Sequence, residues 1–348
     1  MTDSSSIVPR TEKAPTLARR VTLNFRGDWG QANMHRICGW LAQEVGDRSP
    51  DGSQFAIWSG RGGTDSIEAL SRGAADVVIV TPTAAARLFY SGAAENFRAY
   101  PDLRCLGVIG QDDRLVVAVD SALGVSEISD LAEVAGQLRI STSPDDGVNL
   151  VGFTAHALLR FSGVDVAEVE RRGGSMIYNE RPPETIESFR SGAANVLIYE
   201  AVMLPSWQRI NELTAVSYLP ISGSAAAAFA EWSWPTGTLE PDYLPGLSEN
   251  FTTLDFSDFA LLCRADLPDD VAELIAWCMV TTRGALEAQY RHIPFGRSPV
   301  SYPITFDKLT SAPLPLHPAA ERIYNQLGDV RESPNPLWGA GMTAEGKR

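Results

Sequence analysis

The stretch that decides the fold is Ile67-Glu-Ala-Leu-Ser-Arg-Gly-Ala-Ala-Asp-Val-Val-Ile-Val80, which recurs 119 positions later as Ile186-Glu-Ser-Phe-Arg-Ser-Gly-Ala-Ala-Asn-Val-Leu-Ile-Tyr199 with seven of fourteen residues identical. In each copy, apolar residues at helical spacing precede a glycine, Gly73 or Gly192, where a helix end commonly needs a left-handed residue. A short unbroken apolar run follows, which is typical of a strand covered on both faces. The chain is therefore expected to build the same helix-to-strand corner in each of two similar halves.

The elements around the two copies also follow one order. Strands that alternate with helices predict parallel sheets with right-handed crossovers. The predicted strands are 21–25, 54–58 and 76–80 in the first half and 138–141, 175–178 and 195–199 in the second, and the helices between them include 33–45, 150–161 and 182–191.

Two long β-rich runs, Leu103–Asp120 and Thr253–Cys263, lie outside this pattern. A run of this length can leave one sheet and enter another. The predicted fold class is therefore α/β: a two-lobe clamshell, each lobe a mostly parallel sheet flanked by helices, joined by two hinge strands. The expected division is a disordered arm over 1–20, a first lobe over 21–115 plus 255–330, a second lobe over 116–254, and a loose tail over 331–348.

Composition narrows the function. A formal charge of -14 over 348 residues argues against a nucleic-acid groove, which needs a basic face. No stretch reaches the roughly 20 apolar residues of a membrane helix, so the chain is not expected to be membrane-embedded. The first twenty residues lack the apolar core of a secretory signal, which favours the cytoplasm, or an extracytoplasmic compartment if a leader has been removed. The four cysteines and four histidines form no CxxC or HExxH pair, and neither a metal nor a cofactor is expected.

Ligands of open α/β sheets bind beyond the carboxyl ends of the strands. Polar loops follow the predicted strands at these ends, and all of them are expected to face one cleft between the lobes. These loops are 26–33, 59–66, 81–83, 142–149 and 199–201.

Two motifs carry a resemblance to a known family. The loop Ser59-Gly-Arg-Gly-Gly-Thr-Asp-Ser66, with its helix and Gly-Ala-Ala-Asp, resembles the first lobe of type II periplasmic solute-binding proteins, and more narrowly that of the TAXI subfamily of TRAP-transporter solute receptors. Ala312-Pro-Leu-Pro-Leu-His-Pro-Ala-Ala-Glu-Arg-Ile-Tyr324 is similar to that family's closing segment. The resemblance covers residues 20 to 328 and implies a receptor that closes on a solute, with TRAP membrane subunits as partners if the chain is exported.

A small organic acid suits such a cleft, because helix N-termini offer free N–H groups and positive dipole ends to a carboxylate. Thr64 and Ser66 begin one helix, for which plain N-capping is the alternative role, and Asn149 begins another. Arg61, in a glycine-flanked loop, is the favoured guanidinium fork for the carboxylate.

Aromatic side chains complete the predicted pocket. Trp29, Trp58 and Tyr199 could wall it and stack on a flat ligand, and core packing is the alternative, above all for Trp58. The predicted ligand-binding set is Trp29, Arg61, Thr64, Ser66, Thr81, Ser141, Asn149 and Tyr199.

An enzyme on the same scaffold is the alternative function. A cytoplasmic lyase or decarboxylase would use His35, Asp28 or Glu200 in proton transfer on a small carboxylic acid. A structural histidine and solvated loop acids are the plainer interpretations of these residues. No nucleophile elbow, Walker loop or Rossmann fingerprint is present, and a ligand-sensing module for an intracellular partner is a third possibility.

Overall fold

The computed structural model describes residues 14–28, 33–95 and 97–328. Its first sheet contains a parallel trio of strands followed by two strands that run antiparallel to their neighbours. The strand order is β2 (Gln54–Trp58), β1 (Thr22–Arg26), β3 (Val77–Val80), β12 (Phe259–Arg264) and β4 (Leu103–Ile109). The helices α1 (Asn33–Gly46), α2 (Thr64–Ser71) and α3 (Thr83–Ser91) follow the three parallel strands.

The second sheet repeats this plan. Its order is β10 (Thr236–Leu239), β11 (Phe251–Asp255), β5 (Arg114–Asp120), β8 (Val196–Tyr199), β6 (Arg139–Thr142) and β7 (Ser175–Tyr178), and β9 (Val216–Tyr218) also pairs with β5. Here β6, β7 and β8 form the parallel trio. The flanking helices are α4 (Leu150–Phe161), α5 (Val166–Arg171), α6 (Pro182–Arg190) and α7 (Gly223–Glu231).

The chain passes between the sheets twice, as the two long β-rich runs predict. It leaves the first sheet between β4 and β5, and it returns between β11 and β12. The fold is thus the two-lobe α/β clamshell. The predicted lobe boundary after residue 115 lies inside β5, and we propose the division at the crossings themselves, residues 110–113 and 256–258.

The two copies of the repeat occupy equivalent places. β3 lies between the parallel strand β1 and the returning strand β12, and β8 lies between the parallel strand β6 and the crossing strand β5. All four residues of each strand are buried, as an unbroken apolar run predicts. Gly73 and Gly192 have φ values of 71° and 78°, which only glycine adopts readily, so the helix-ending role predicted for them is confirmed.

The rest of the described chain completes the first lobe. The helices α8 (Asp269–Thr281), α9 (Arg283–Ala288), α10 (Phe306–Thr310) and α11 (Pro318–Leu327) pack with α1 and the first sheet in one apolar core. Leu17, which lies in the predicted arm, is buried in the same core. Residues 1–13 of that arm and the predicted tail 331–348 lie outside the described part. Within the described residues, no helix combines the length and the apolar character that a bilayer crossing requires.

Candidate functional site

The loops at the carboxyl ends of the strands bring the two lobes into direct contact. The Arg61 guanidinium lies 2.5 Å from the Asp146 carboxylate and 3.2 Å from that of Glu180, both in the second lobe. The Thr64 N–H donates to the Val148 carbonyl at 3.4 Å. The structure is therefore that of a closed clamshell, with Arg61 engaged by carboxylates of the chain itself.

Several of the buried polar atoms without a hydrogen-bond partner among the described residues lie at this edge, while others, such as Arg48 Nε and Ser162 Oγ, lie elsewhere. Those at the edge belong to the last residue of a strand, to a loop that follows one or to the first turn of α2, and each can donate a hydrogen bond. They are Arg26 Nε at the end of β1, Arg61 Nε and Ser66 Oγ after β2, Thr81 Oγ1 after β3, and Thr142 Oγ1 at the end of β6. Both lobes thus contribute unused donors.

Asp65 organises the first-lobe part of this set, and sequence reasoning missed it. One carboxylate oxygen accepts from the Arg26 guanidinium at 2.6 Å and from the Arg61 backbone N–H at 3.0 Å. Asp65 therefore holds Arg26 in place and shapes the loop that presents Arg61. The signal was an acid in the first turn of α2, where its charge also suits the helix dipole.

The Ser141 hydroxyl, which is predicted to bind the ligand, is already paired within the second lobe. The hydroxyl is buried and donates to the Thr185 carbonyl at 2.9 Å, so it is committed to the core of the second lobe. Because successive side chains of a strand point to opposite faces, the neighbouring Thr142 is the residue that carries an unused hydroxyl.

The three residues predicted to begin helices differ in whether their side chains cap the helix. Gly63 is the N-cap of α2 and the helix has no side-chain cap, so capping is wrong for Thr64 and Ser66. The Asn149 side chain accepts from the N–H groups of Val151 and Gly152, so capping is its role in α4. Thr64 and Ser66 remain candidates for the ligand.

The aromatic predictions have different outcomes. Trp29 lies outside the described residues. Trp58 is 54% exposed, and its indole N–H donates to the Asn24 side chain, so core packing is wrong for it. Tyr199 is buried, and its hydroxyl lies 3.3 Å from Ser143 Oγ and 3.5 Å from the Glu180 carbonyl oxygen. Tyr199 therefore packs in the core of the second lobe, and its hydroxyl contacts the loops that contain Ser143 and Glu180.

The three residues of the enzyme alternative lie in two different places. Asp28 is buried and accepts the Met34 N–H at 3.2 Å near the start of α1, so it is not a solvated acid. His35 follows on the same helix turn and has a buried Nδ1 without a described partner. Glu200 lies in the second lobe beside Asp113.

Asp113 and Glu200 form a hydrogen-bonded carboxyl pair where β8 ends next to the first crossing. The Asp113 carboxylate also accepts the backbone N–H groups of Arg114, Ala201 and Val202 and the side-chain amide of Gln111. Burial raises the pKa of Asp113, but the donors that Asp113 receives favour its ionised form, so we expect Glu200 to hold the shared proton. Burial and the negative charge of Asp113 raise the pKa of Glu200 well above its ordinary value of 4.5.

This pair predicts a pH effect on stability. A carboxyl whose pKa is raised by folding contributes stability that is complete below about pH 4.5 and is lost as pH rises through the folded-state pKa. Glu200→Gln keeps a donor for Asp113 and removes the titration. The free energy of unfolding of E200Q should therefore exceed that of the unmodified chain by a gap that widens with pH, by at most about 1.4 kcal/mol per unit.

Urea denaturation at a series of pH values measures this gap. The exposed Glu231 at the end of α7 provides the control, since Glu231→Gln should follow the unmodified chain throughout. Parallel pH curves for E200Q and the unmodified chain would contradict the shared proton.

A cavity of about 1030 Å³ adjoins the cleft on the side of α4. Thr64 and Asn149 lie on its wall, and the rings of Phe97 and Phe153, one from each lobe, are 4.8 Å apart beside it. His156 also lines it, stacked on Tyr178, and burial lowers its pKa. The lobes therefore meet along α4 as well as at the strand ends.

The described residues contain no group of three or more histidine, cysteine or acidic side chains arranged for a metal ion.

No protein-family model and no curated protein matches the chain. Several solved structures are similar to it at low identity. MatC from Rhodopseudomonas palustris with bound malate shares 12% identity over 88% of this chain and 97% of its own, with a TM-score of 0.49.

Two further structures give similar values. PhnD1 from Prochlorococcus marinus in complex with methylphosphonate shares 11% identity over 89% of this chain and 99% of its own, with a TM-score of 0.48. A TctC solute binding protein from Polaromonas shares 10% identity over 83% of this chain and 92% of its own, with a TM-score of 0.46. The fold assignment rests on the strand order and the two crossings of the chain itself.

Proposed function

We propose that this chain is a solute-binding protein whose lobes close on a small organic acid at the strand ends. The observation that carries the proposal is the set of buried, unpaired donors from both lobes. A buried donor without a partner costs about 1–3 kcal/mol, so a group of such donors from both lobes at one edge favours a site where a ligand supplies the acceptors. A carboxylate supplies them, because its oxygens only accept.

The contacts between the lobes support closure as the binding step. Arg61, Thr64 and Gly63 of one loop all meet the second-lobe loop around Val148. Closing excludes water from the cleft, and this strengthens each hydrogen bond between a guanidinium or hydroxyl and a carboxylate. The TAXI type, with TRAP membrane subunits as partners of an exported chain, is the form of this function that the two sequence motifs favour.

A screen of organic acids by thermal shift tests the proposal. A compound that binds the closed form raises the melting temperature in a concentration-dependent way. The NMR spectrum of the best compound after incubation with the protein should be unchanged. A changed spectrum would support the enzyme alternative, and a complete set of organic acids without stabilisation would contradict the proposal.

Thr142→Val should separate binding from stability. The Thr142 hydroxyl is buried and has no described partner, so replacing it with a methyl group should raise the free energy of unfolding of the ligand-free protein by about 1 kcal/mol. Affinity for the acid found in the screen should fall about tenfold, the equivalent of one hydrogen bond to a charged group. Isothermal titration and urea denaturation measure the two quantities.

The adjacent Ser141 provides the matched control. Ser141→Ala removes a hydroxyl that donates to the Thr185 carbonyl, so stability should fall by about 1 kcal/mol while affinity stays the same. If Thr142→Val instead lost stability and kept its affinity, the Thr142 hydroxyl would not face the ligand.

A further inference from the structure

The carboxylate of Asp146 has partners that are typical of a bound organic anion. Oδ1 accepts the backbone N–H groups of Val148 and Asn149, each at 3.0 Å, just before α4 begins. Oδ2 accepts from the Arg61 guanidinium of the opposite lobe at 2.5 Å. Backbone amides at a helix start together with a guanidinium are a common recognition set for carboxylates.

Asp146 pairs with only part of the Arg61 guanidinium. Asp146 engages one terminal nitrogen of Arg61, while Arg61 Nε is buried and has no partner among the described residues. Glu180 approaches the same terminal nitrogen at 3.2 Å, so two carboxylates of the chain share that nitrogen while Nε has none. A carboxylate that took both Nε and the terminal nitrogen would form the bidentate pair that Asp146 does not make.

The loop also has room to release Asp146. The side chain is 33% exposed, so it can turn towards solvent. Gly147 follows it with a φ of +77°, and the space beside its Cα is open. The Asp146 carboxylate is therefore in contact with solvent at the edge of the cleft.

We propose that Asp146 is an internal substitute for the ligand carboxylate: it occupies a carboxylate subsite formed by Arg61 and the amides of Val148 and Asn149, and a ligand carboxylate displaces it. This inference rests on the proposed function and assigns the ligand's acid group to one place. As a tethered competitor, Asp146 has a high effective concentration at the subsite. It therefore admits only acids whose bidentate pairing and remaining contacts outweigh its own.

Chemical rescue tests the subsite without knowledge of the natural ligand. Asp146→Ala vacates the subsite, and acetate is the probe. Thermal-shift titration should show acetate binding at least about tenfold tighter to D146A than to the unmodified chain, a factor that corresponds to about 1.4 kcal/mol of removed competition. Acetamide, which has the same shape and no charge, should leave both proteins unchanged, and the double variant D146A/R61M should lose the response to acetate.

Asp146→Asn serves if D146A does not fold. Its amide oxygen still accepts from Val148 and Asn149 but cannot pair with Arg61 as an ion, so an intermediate response to acetate is expected. Equal acetate titrations of the unmodified chain and both variants would overturn the assignment.

The two proposals fail in different ways. A response of D146A to acetate, with no organic acid stabilising the unmodified chain, would leave the subsite intact and refute the receptor function. If an organic acid stabilised the unmodified chain but acetate bound D146A no more tightly than the unmodified chain, the receptor function would stand and the subsite assignment would be refuted.

Discussion

Gly63→Ala is expected to hold the two lobes apart. A Cβ at this position would lie 1.9 Å from the Val148 carbonyl oxygen and 3.1 Å from its carbon, and both atoms belong to the opposite lobe. The φ of Gly63 is −120°, outside the left-handed region, and the atoms nearest to the added Cβ belong to the opposite lobe. Opening of the lobes therefore relieves the clash. Affinity for the acid found in the screen should fall by at least about tenfold, because the closed form that binds it becomes less populated.

Small-angle scattering of the ligand-free protein measures the opening directly, as an increased radius of gyration for G63A. Gly39→Ala is the matched control, because a Cβ at Gly39, inside α1, meets no atom within 4 Å. It should keep the closed dimensions and raise the free energy of unfolding by about 0.5–1 kcal/mol, the usual gain for replacing glycine within a helix. Unchanged dimensions and affinity in G63A would show that the loops do not need this close approach.

Asp113→Asn is expected to cause the largest loss of stability. The Asp113 carboxylate accepts hydrogen bonds from both sides of the junction between the first crossing and the end of β8. An amide has one accepting oxygen, and its NH₂ would face N–H groups that also donate. With buried donors left unpaired, the free energy of unfolding should fall by about 3 kcal/mol. Urea denaturation followed by tryptophan fluorescence measures this loss.

The neighbouring Asp112 is the control for charge alone. Its side chain is 66% exposed and pairs with Arg114 at 2.8 Å. Exposed ion pairs contribute little, so Asp112→Asn should cost less than about 1 kcal/mol. If Asp113→Asn and Asp112→Asn lowered the free energy of unfolding equally, the loss would come from the removed charge and not from the hydrogen bonds that Asp113 accepts.

The candidate site was predictable in position and only partly in detail. The rule that ligands bind at the carboxyl ends of strands points to the loops where the lobes meet, and Ser66 and Thr81 carry unused hydroxyls there. Ser141 was selected in place of Thr142, because a shift of one residue in a strand exchanges its two faces and no local pattern fixed the register. Asp65 was overlooked, since its role depends on two arginines from separate loops.

Local signals in the sequence by themselves determined the parallel strands of both lobes, the helices α1, α2, α4 and α6, the left-handed Gly73 and Gly192 and the two crossings between lobes. These features follow from periodicity and backbone preference within about fifteen residues, which the chain encodes directly. Only the tertiary structure decided which charges meet. Arg61 reaches Asp146 across the lobes, and Asp113 shares a proton with Glu200, because folding brings together groups that are distant in the chain. Such pairings depend on side-chain direction and burial, and neither is set by local sequence.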